Sequence, residues 1–146
     1  MLLVITLAEV GGAQSYVAAL LPALAGRFDV SVAAHGMGPL REAAATTGAH
    51  FIPLRHVRRA INPFRDVAGL VELARVLRRE RPDIVHASSS KAGVLGRLAA
   101  LFAGVPIRIF TAHGWAFGAR AGITSRLYRL ADRLMRPLTS QTICVS

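Results

Sequence analysis

At 146 residues, 53% of them hydrophobic, the chain is long enough for one domain to bury ~70% of its unfolded surface without covalent staples. Its single cysteine, Cys144, excludes an internal disulfide framework and offers no zinc spacing, and no run of roughly 18 apolar residues is present to span a bilayer. The net charge of +10, carried by 17 arginines and one lysine against eight acids, calls for an anionic counterpart unless it is compositional bias: nucleic acid, a lipid surface or phosphorylated substrates.

The first unit sets the pattern. Leu2 to Leu7 is a continuous apolar run of strand length, Gly11-Gly12-Ala13-Gln14 is a turn, and Ser15 to Gly26 is an Ala/Leu-rich helical segment. No basic n-region precedes the apolar run and the glycines interrupt it early, so a secretory leader is not expected and the chain is expected to be cytoplasmic. Asp29 to Ala34 reads as a second strand, Pro39 to Thr47 as a short helix stopped by Gly48, and His50 to Leu54 as a third strand. The basic loop Arg55-His56-Val57-Arg58-Arg59 leads to Asn62-Pro63, a helix cap and first turn. The helix that follows carries the stripe Val67, Leu70, Val71, Ala74 and Leu77, leaving Arg65, Glu72, Arg75, Arg78 and Arg79 to water.

Pro82 ends that helix. Asp83 to His86 is a fourth strand running into Ser88-Ser89-Ser90-Lys91, and a serine cap opens a helix of small residues that Gly104 and Pro106 close. Arg108 to Thr111 is a fifth strand that delivers His113-Gly114-Trp115-Ala116-Phe117 into a loop. The last helix, about 123 to 138, sets Ile123, Leu127, Leu130, Leu134 and Leu138 on one face and Arg126, Arg129, Arg133 and Arg136 on the other, before a sixth strand from Thr142 to Val145.

Repeated strand and helix units with short connections predict an α/β fold: a Rossmann-like doubly wound parallel sheet of about six strands, most simply in the order 3-2-1-4-5-6. Ligands then bind at the carboxyl ends of the strands, in the crevice between strands one and four, where Gly11-Gly12, Ser88 to Lys91 and the His113 loop all fall. Bare amides at a helix N-terminus after the double glycine form an anion site, or the glycines simply permit a tight turn. A nicotinamide cofactor is disfavoured, because the third glycine and the acidic residue closing strand two are missing and the second strand runs into His35-Gly36.

Taken together, Glu9 to Gln14, Pro82-Asp83-Ile84-Val85-His86, Ser89-Ser90-Lys91-Ala92-Gly93, Phe110-Thr111-Ala112-His113-Gly114 and the ending Ile143 to Ser146 resemble the N-terminal half of a family 4 glycosyltransferase of the two-domain GT-B type. The serine-lysine and histidine-glycine stretches look most like members that build bacterial surface polysaccharides on polyprenyl carriers. The resemblance covers the whole chain and implies a single acceptor-side domain over residues 1–146, with the family's nucleotide-binding second domain absent and the isolated piece inactive. It implies for the parent a retaining transfer from a nucleotide sugar to a glycan or lipid-linked acceptor.

By the same resemblance, His113 is the residue beside the donor sugar that stabilises charge at the anomeric carbon, against a structural loop histidine. Gly11 and Gly12 approach the donor diphosphate. Ser89, Ser90 and Lys91 are candidates for an acceptor phosphate, with a plain helix cap as the alternative. Trp115, like Phe117, either stacks on acceptor or plugs the core. His35, His50, His56 and His86 show no ligand spacing, so no metal and no cofactor beyond the donor substrate is argued. Arg55, Arg58, Arg59, Arg126, Arg129 and Arg133 are expected at an anionic membrane surface, at the inner face of the plasma membrane, against the alternatives of a solvated helix face or one covered by the missing domain. The competing class is a non-catalytic basic module for lipid or nucleic acid, the latter disfavoured by the scarcity of interleaved aromatics.

Overall fold

The computed structural model describes residues 1–113, 130 and 132–145. In chain order the elements are β1 (Leu2–Leu7), α1 (Gly12–Ala25), β2 (Ser31–His35), α2 (Pro39–Thr46), β3 (His50–Leu54), α3 (Pro63–Glu80), β4 (Ile84–Ser88), α4 (Ser90–Phe102), β5 (Ile107–His113), a 3₁₀ turn (Arg136–Leu138) and β6 (Gln141–Val145). All six strands form one parallel sheet in the order β3-β2-β1-β4-β5-β6, as the alternation of elements predicts.

Two apolar layers sandwich the sheet. Leu3, Ile5 and Val32 pack under Val17 and Leu21 of α1 and Leu40 and Ala44 of α2. On the opposite face, Leu2, Val4 and Val85 meet Leu73 and Leu77 of α3 and Leu95 and Ala99 of α4. Burial of the central strand on both sides explains why β1 reads as an unbroken apolar run rather than an alternating one. Helix α4 lies especially close: a Cβ on Gly93 would enter the Phe110 ring, and one on Gly96 would stand 3.2 Å from the Ala87 methyl.

Local signals set the helix ends. Asn62 caps α3 by accepting from the Arg65 amide at 3.1 Å, with Pro63 in the first turn. Arg81 closes the same helix in the left-handed region, at φ 46°, ahead of Pro82.

The structure corrects the faces of two helices. The buried side of α3 runs through Gly69, Leu73, Ala74 and Leu77, while Val67 and Val71 are exposed. Gly69 is turned inward because Val57 of the preceding loop, fully buried, approaches within 3.2 Å of where its Cβ would be. Glu72 is not left to water: its carboxylate accepts from the amides of Arg55 at 2.8 Å and His56 at 2.9 Å, pinning the basic loop to the helix.

In the last helical stretch, Leu130 and Leu134 are exposed and Met135 is buried. The cause is Arg97 of α4, only 2% exposed, which lies 4.2 Å from the centre of the Phe110 ring. Its Nε donates to the Gly93 carbonyl at 2.6 Å, its Nη1 to Thr139 Oγ1 at 2.8 Å, and its Nη2 pairs with Asp132 at 3.5 Å. A buried guanidinium needs a carboxylate, so Asp132 turns inward and the apolar positions expected on that face turn out.

Candidate functional site

The carboxyl edge of the sheet is built by the ends of β1, which keeps the bounds of its apolar run, and of β4 and β5, which run past theirs. β4 continues to Ser88 and β5 to His113, because register pairing with β1 and β6 extends past the apolar residues: Ile5 lies opposite Ser88, Ser88 opposite Thr111, and His113 opposite Val145. Since Ala87 and Phe110 face α4, the alternate positions His86, Ser88, Thr111 and His113 face the side of α1. They form a polar column in the crevice where strand order reverses.

After β1 the chain turns through Ala8 to Gly11 into α1. Gly11 is extended at φ 173°, the helix has no side-chain cap and no acid in its first turn, and Gln14 turns its amide back to the Leu7 carbonyl at 3.0 Å. The first-turn amides of α1 are therefore left without a capping side chain. A Cβ on Gly12 would meet nothing within 4 Å, so bare backbone there borders open space. Behind this turn, a Cβ on Gly38 would strike the Ala8 carbonyl, which also accepts from the Leu40 amide at 3.3 Å, while the Ala8 amide donates to His35 at 2.8 Å. The loops after β1 and β2 are thus packed backbone to backbone.

At β4, Ser89 adopts φ 87° and ψ 154°, a region that side chains other than glycine rarely enter and that costs about 1–3 kcal/mol. The bond between its Oγ and Thr6 Oγ1, at 2.6 Å, ties this residue across to β1. Lys91 is 10% exposed and pairs with Asp66 at 2.6 Å while donating to the Ala60 carbonyl. The ammonium expected at an acceptor phosphate is thus engaged as a brace between α4 and the start of α3, and Ser89 and Ser90 are left at the mouth of the crevice.

His113 ends β5 against Tyr16 of α1, ring centres 4.9 Å apart and planes 71° from parallel, an edge-to-face contact that orients the imidazole. Burial holds its pKa below the usual histidine value, so it is neutral at pH 7. Its Nε2 is buried and, among the described residues, has no hydrogen-bond partner; the same is true of Ser88 Oγ. Two unpaired polar atoms in one crevice are what a bound polar ligand or an ordered water would satisfy. Deeper in the column, His86 Nε2 and Thr111 Oγ1 are 2.6 Å apart, and burial, with the nearby His113, pushes His86 down to about 4.

The sequence reasoning missed Tyr16, Thr6 and Thr111. Strand alternation points to Thr111, whereas Thr6 falls on the face of Leu2 and Val4 and is marked only by its bond to Ser89; nothing local distinguishes Tyr16 from a core aromatic. His35 is structural, its Nδ1 2.7 Å from the Leu54 carbonyl, and His50 and His56 are exposed away from the crevice. Arg55, Arg58 and Arg59 are exposed on the loop before α3, and Arg133 is exposed as well. Trp115, Phe117, Arg126 and Arg129 lie outside the described residues. Among the described residues, no three His, Cys, Asp or Glu side chains converge as a metal site, and no helix is long and apolar enough to cross a membrane.

Comparison with known proteins agrees with this architecture. The profile of Glycosyltransferase Family 4 matches residues 10–146. An Escherichia coli UDP-Gal:alpha-D-GlcNAc-diphosphoundecaprenol alpha-1,3-galactosyltransferase is 35% identical over 121 residues, covering 82% of this chain and 31% of the relative. The Staphylococcus aureus capsular polysaccharide biosynthesis glycosyltransferase CapM is 30% identical over 98 residues, covering 67% of this chain and 25% of the relative. Among solved structures, Anabaena HepE in complex with UDP superposes with a TM-score of 0.73 at 15% identity, over 97% of this chain and 36% of that one. Acinetobacter baumannii MurG superposes with a TM-score of 0.69 at 14% identity, over 99% of this chain and 41% of that one. The chain spans about a third or less of the two curated relatives. It belongs to glycosyltransferase family 4.

Proposed function

We propose that this chain is the acceptor-side domain of a two-domain retaining glycosyltransferase that transfers a sugar from a nucleotide sugar to a polyprenyl-linked glycan during polysaccharide synthesis. The observation that carries the reading is the convergence, at one crevice, of uncapped α1 amides beside Gly12, the Ser89 turn, and a His113 Nε2 that has no partner among the described residues. In this reading the α1 amides meet the donor diphosphate, and the bare face of Gly12 lets backbone come close to it. Ser89 and Ser90 offer hydroxyls to an acceptor phosphate at the start of α4, with Lys91 holding the α3 loop beside them.

His113 is neutral, so it acts as a hydrogen-bonding dipole rather than a cation; aimed by Tyr16, it stabilises charge that develops at the anomeric carbon during departure of the nucleotide. The second domain grips the nucleotide, so the isolated chain neither transfers nor hydrolyses. The donor and acceptor named for the Escherichia coli relative, UDP-galactose and a diphosphoundecaprenol-linked sugar, are the first pair to assay. An acceptor of that chemistry holds the enzyme at the cytoplasmic face of the membrane.

In the full-length enzyme, His113→Ala is expected to lower kcat by about 10²–10³-fold while the chain stays folded, as removal of one group that stabilises transition-state charge does. Turnover close to the parent's in a folded variant removes His113 from the chemistry. Tight binding of free nucleotide by residues 1–146 alone would reverse the assignment of the two halves.

A further inference from the structure

Ser89 stands where a serine ordinarily caps a helix, yet it does not cap α4. A capping serine holds an extended backbone with negative φ and folds its hydroxyl onto an amide of the first turn. Ser89 has φ 87° and ψ 154°, and its side chain bonds no first-turn amide. Its hydroxyl instead reaches across to β1, 2.6 Å from Thr6 Oγ1. One bond between two neutral hydroxyls offsets only part of a strained backbone and a forgone cap. Strain that its own surroundings do not offset clusters at functional sites.

Thr6 is closed to a ligand. It is 6% exposed near the end of β1, and Ile5 beside it lies opposite Ser88 in the register that joins β1 to β4. Ser89, by contrast, is half-buried at the mouth of the crevice. The segment is fixed from three directions: Thr6 holds the Ser89 hydroxyl, the Ser89 carbonyl accepts from the Gly93 amide at 2.7 Å, and Lys91 is tied to Asp66 and to the Ala60 carbonyl. A hydroxyl has one proton and two lone pairs. When the buried threonine donates, Ser89 accepts through one lone pair and keeps its own proton for a group outside the fold.

We propose that Thr6 is a positioning residue for the acceptor: its hydroxyl donates to Ser89 Oγ, holds Ser89 in its positive-φ backbone, and directs the Ser89 proton toward an anionic oxygen of the acceptor. This rests on the reading above, in which Ser89 and Ser90 meet an acceptor phosphate. A hydroxyl that accepts one hydrogen bond becomes a better donor in the next, so the buried threonine strengthens a contact it does not make itself. The arrangement favours a phosphate or diphosphate oxygen, which only accepts, over a sugar hydroxyl, which brings its own proton.

The test is a double-mutant cycle in the full-length enzyme, starting from the substrates named above for assay, UDP-galactose and a diphosphoundecaprenol-linked sugar. Thr6→Val keeps the shape of the side chain and removes the hydroxyl. It is expected to raise the acceptor KM about tenfold, the effect of one hydrogen bond to a charged group, and to leave the donor KM and the melting temperature close to the parent's. Thr6→Ser is expected to restore the acceptor KM. Ser89→Ala is expected to raise it by a similar factor, and Thr6→Val/Ser89→Ala to be no worse than Ser89→Ala alone, because Thr6 acts only through Ser89. The proposal fails, with the glycosyl-transfer reading intact, on any of three results: an acceptor KM that Thr6→Val leaves unchanged, losses that multiply in the double variant, or a Thr6→Val that raises both KM values and melts lower. A parent enzyme that transfers from no nucleotide sugar to any polyprenyl-linked acceptor removes the reading itself, and the proposal with it.

Discussion

The buried pair His86 and Thr111 makes the stability of this fold depend on pH in a way that can be calculated. His86 is 4% exposed, and burial, reinforced by His113, lowers its pKa to about 4 from the 6.5 it has in the unfolded chain. Between those values the unfolded chain binds a proton that the folded chain refuses, so stability is full above about pH 6.5 and falls as the pH drops toward 4. The loss sums to about 3 kcal/mol for this one side chain. With a urea slope of about 2 kcal/mol per M, that moves the midpoint by about 1.5 M. Carboxylates also titrate there, so the measurement is a difference: urea unfolding by circular dichroism at pH 7, 6, 5 and 4 for the parent and for His86→Gln. The variant starts about 1–3 kcal/mol lower at pH 7 because Thr111 loses its partner, and the difference moves by about 3 kcal/mol in the variant's favour on the way to pH 4, so the curves meet or cross. NMR titration of the imidazole gives the same pKa directly. Curves that stay parallel, or a His86 titrating near 6.5, refute the argument that burial keeps this ring neutral.

Three further outcomes follow from the same geometry. Gly93→Ala forces a methyl into the Phe110 ring and is expected to destabilise by about 1–3 kcal/mol despite alanine's better helix propensity, read as a melting point lower by about 3 °C per kcal/mol. Arg97→Ala strands Asp132, which is 26% exposed, together with the Thr139 hydroxyl and the Gly93 carbonyl; about 2–4 kcal/mol is expected by chemical denaturation, and a change below 1 kcal/mol removes the buried guanidinium as an organiser of the last helix. Gly12→Ala meets no atom within 4 Å, so melting is expected to stay level or rise slightly, while turnover of the nucleotide sugar by the full-length enzyme falls if backbone approaches the diphosphate there; unchanged kinetics removes Gly12 from the donor site.

The sheet was legible in the sequence because short apolar stretches, continuous in β1 and mixed with polar residues in β3 and β6, alternate with helical segments, and because short connections favour one simple strand order. The faces of the helices were less so. Counting Val67 and Val71 as core treats every aliphatic residue alike, whereas the Val57 anchor and Gly69 decide how α3 sits, and both act through space rather than through periodicity. Arg97 was hidden among so many solvated arginines that nothing local marked it as buried. In the candidate site, Gly12, Ser89 and His113 stand at or just past the ends of strands, but position alone left a tight turn, a helix cap and a loop histidine open, and only the family resemblance singled them out. The engagement of Lys91 could not be read at all, since Asp66 and Ala60 belong to a different helix and its loop. Tyr16 sits in an Ala/Leu-rich helix, where an aromatic ring looks like filling until the fold brings it against His113.

The backbone contact between Gly38 and Ala8 bears on the thermodynamics of recognition. A glycine-rich turn is usually loose and must lose its freedom when a ligand arrives. Here the turn before Gly12 is held from behind by the Leu40 and His35 bonds to Ala8 and by Gln14 on Leu7, so its entropy is lost during folding and not at the moment of binding. A side chain at position 38 would pry the two loops apart and restore that freedom, so the effect on a ligand bound at Gly12 would appear as weaker affinity with an unfavourable entropy change, although residue 38 lies behind the turn, against the backbone of Ala8 and Glu9.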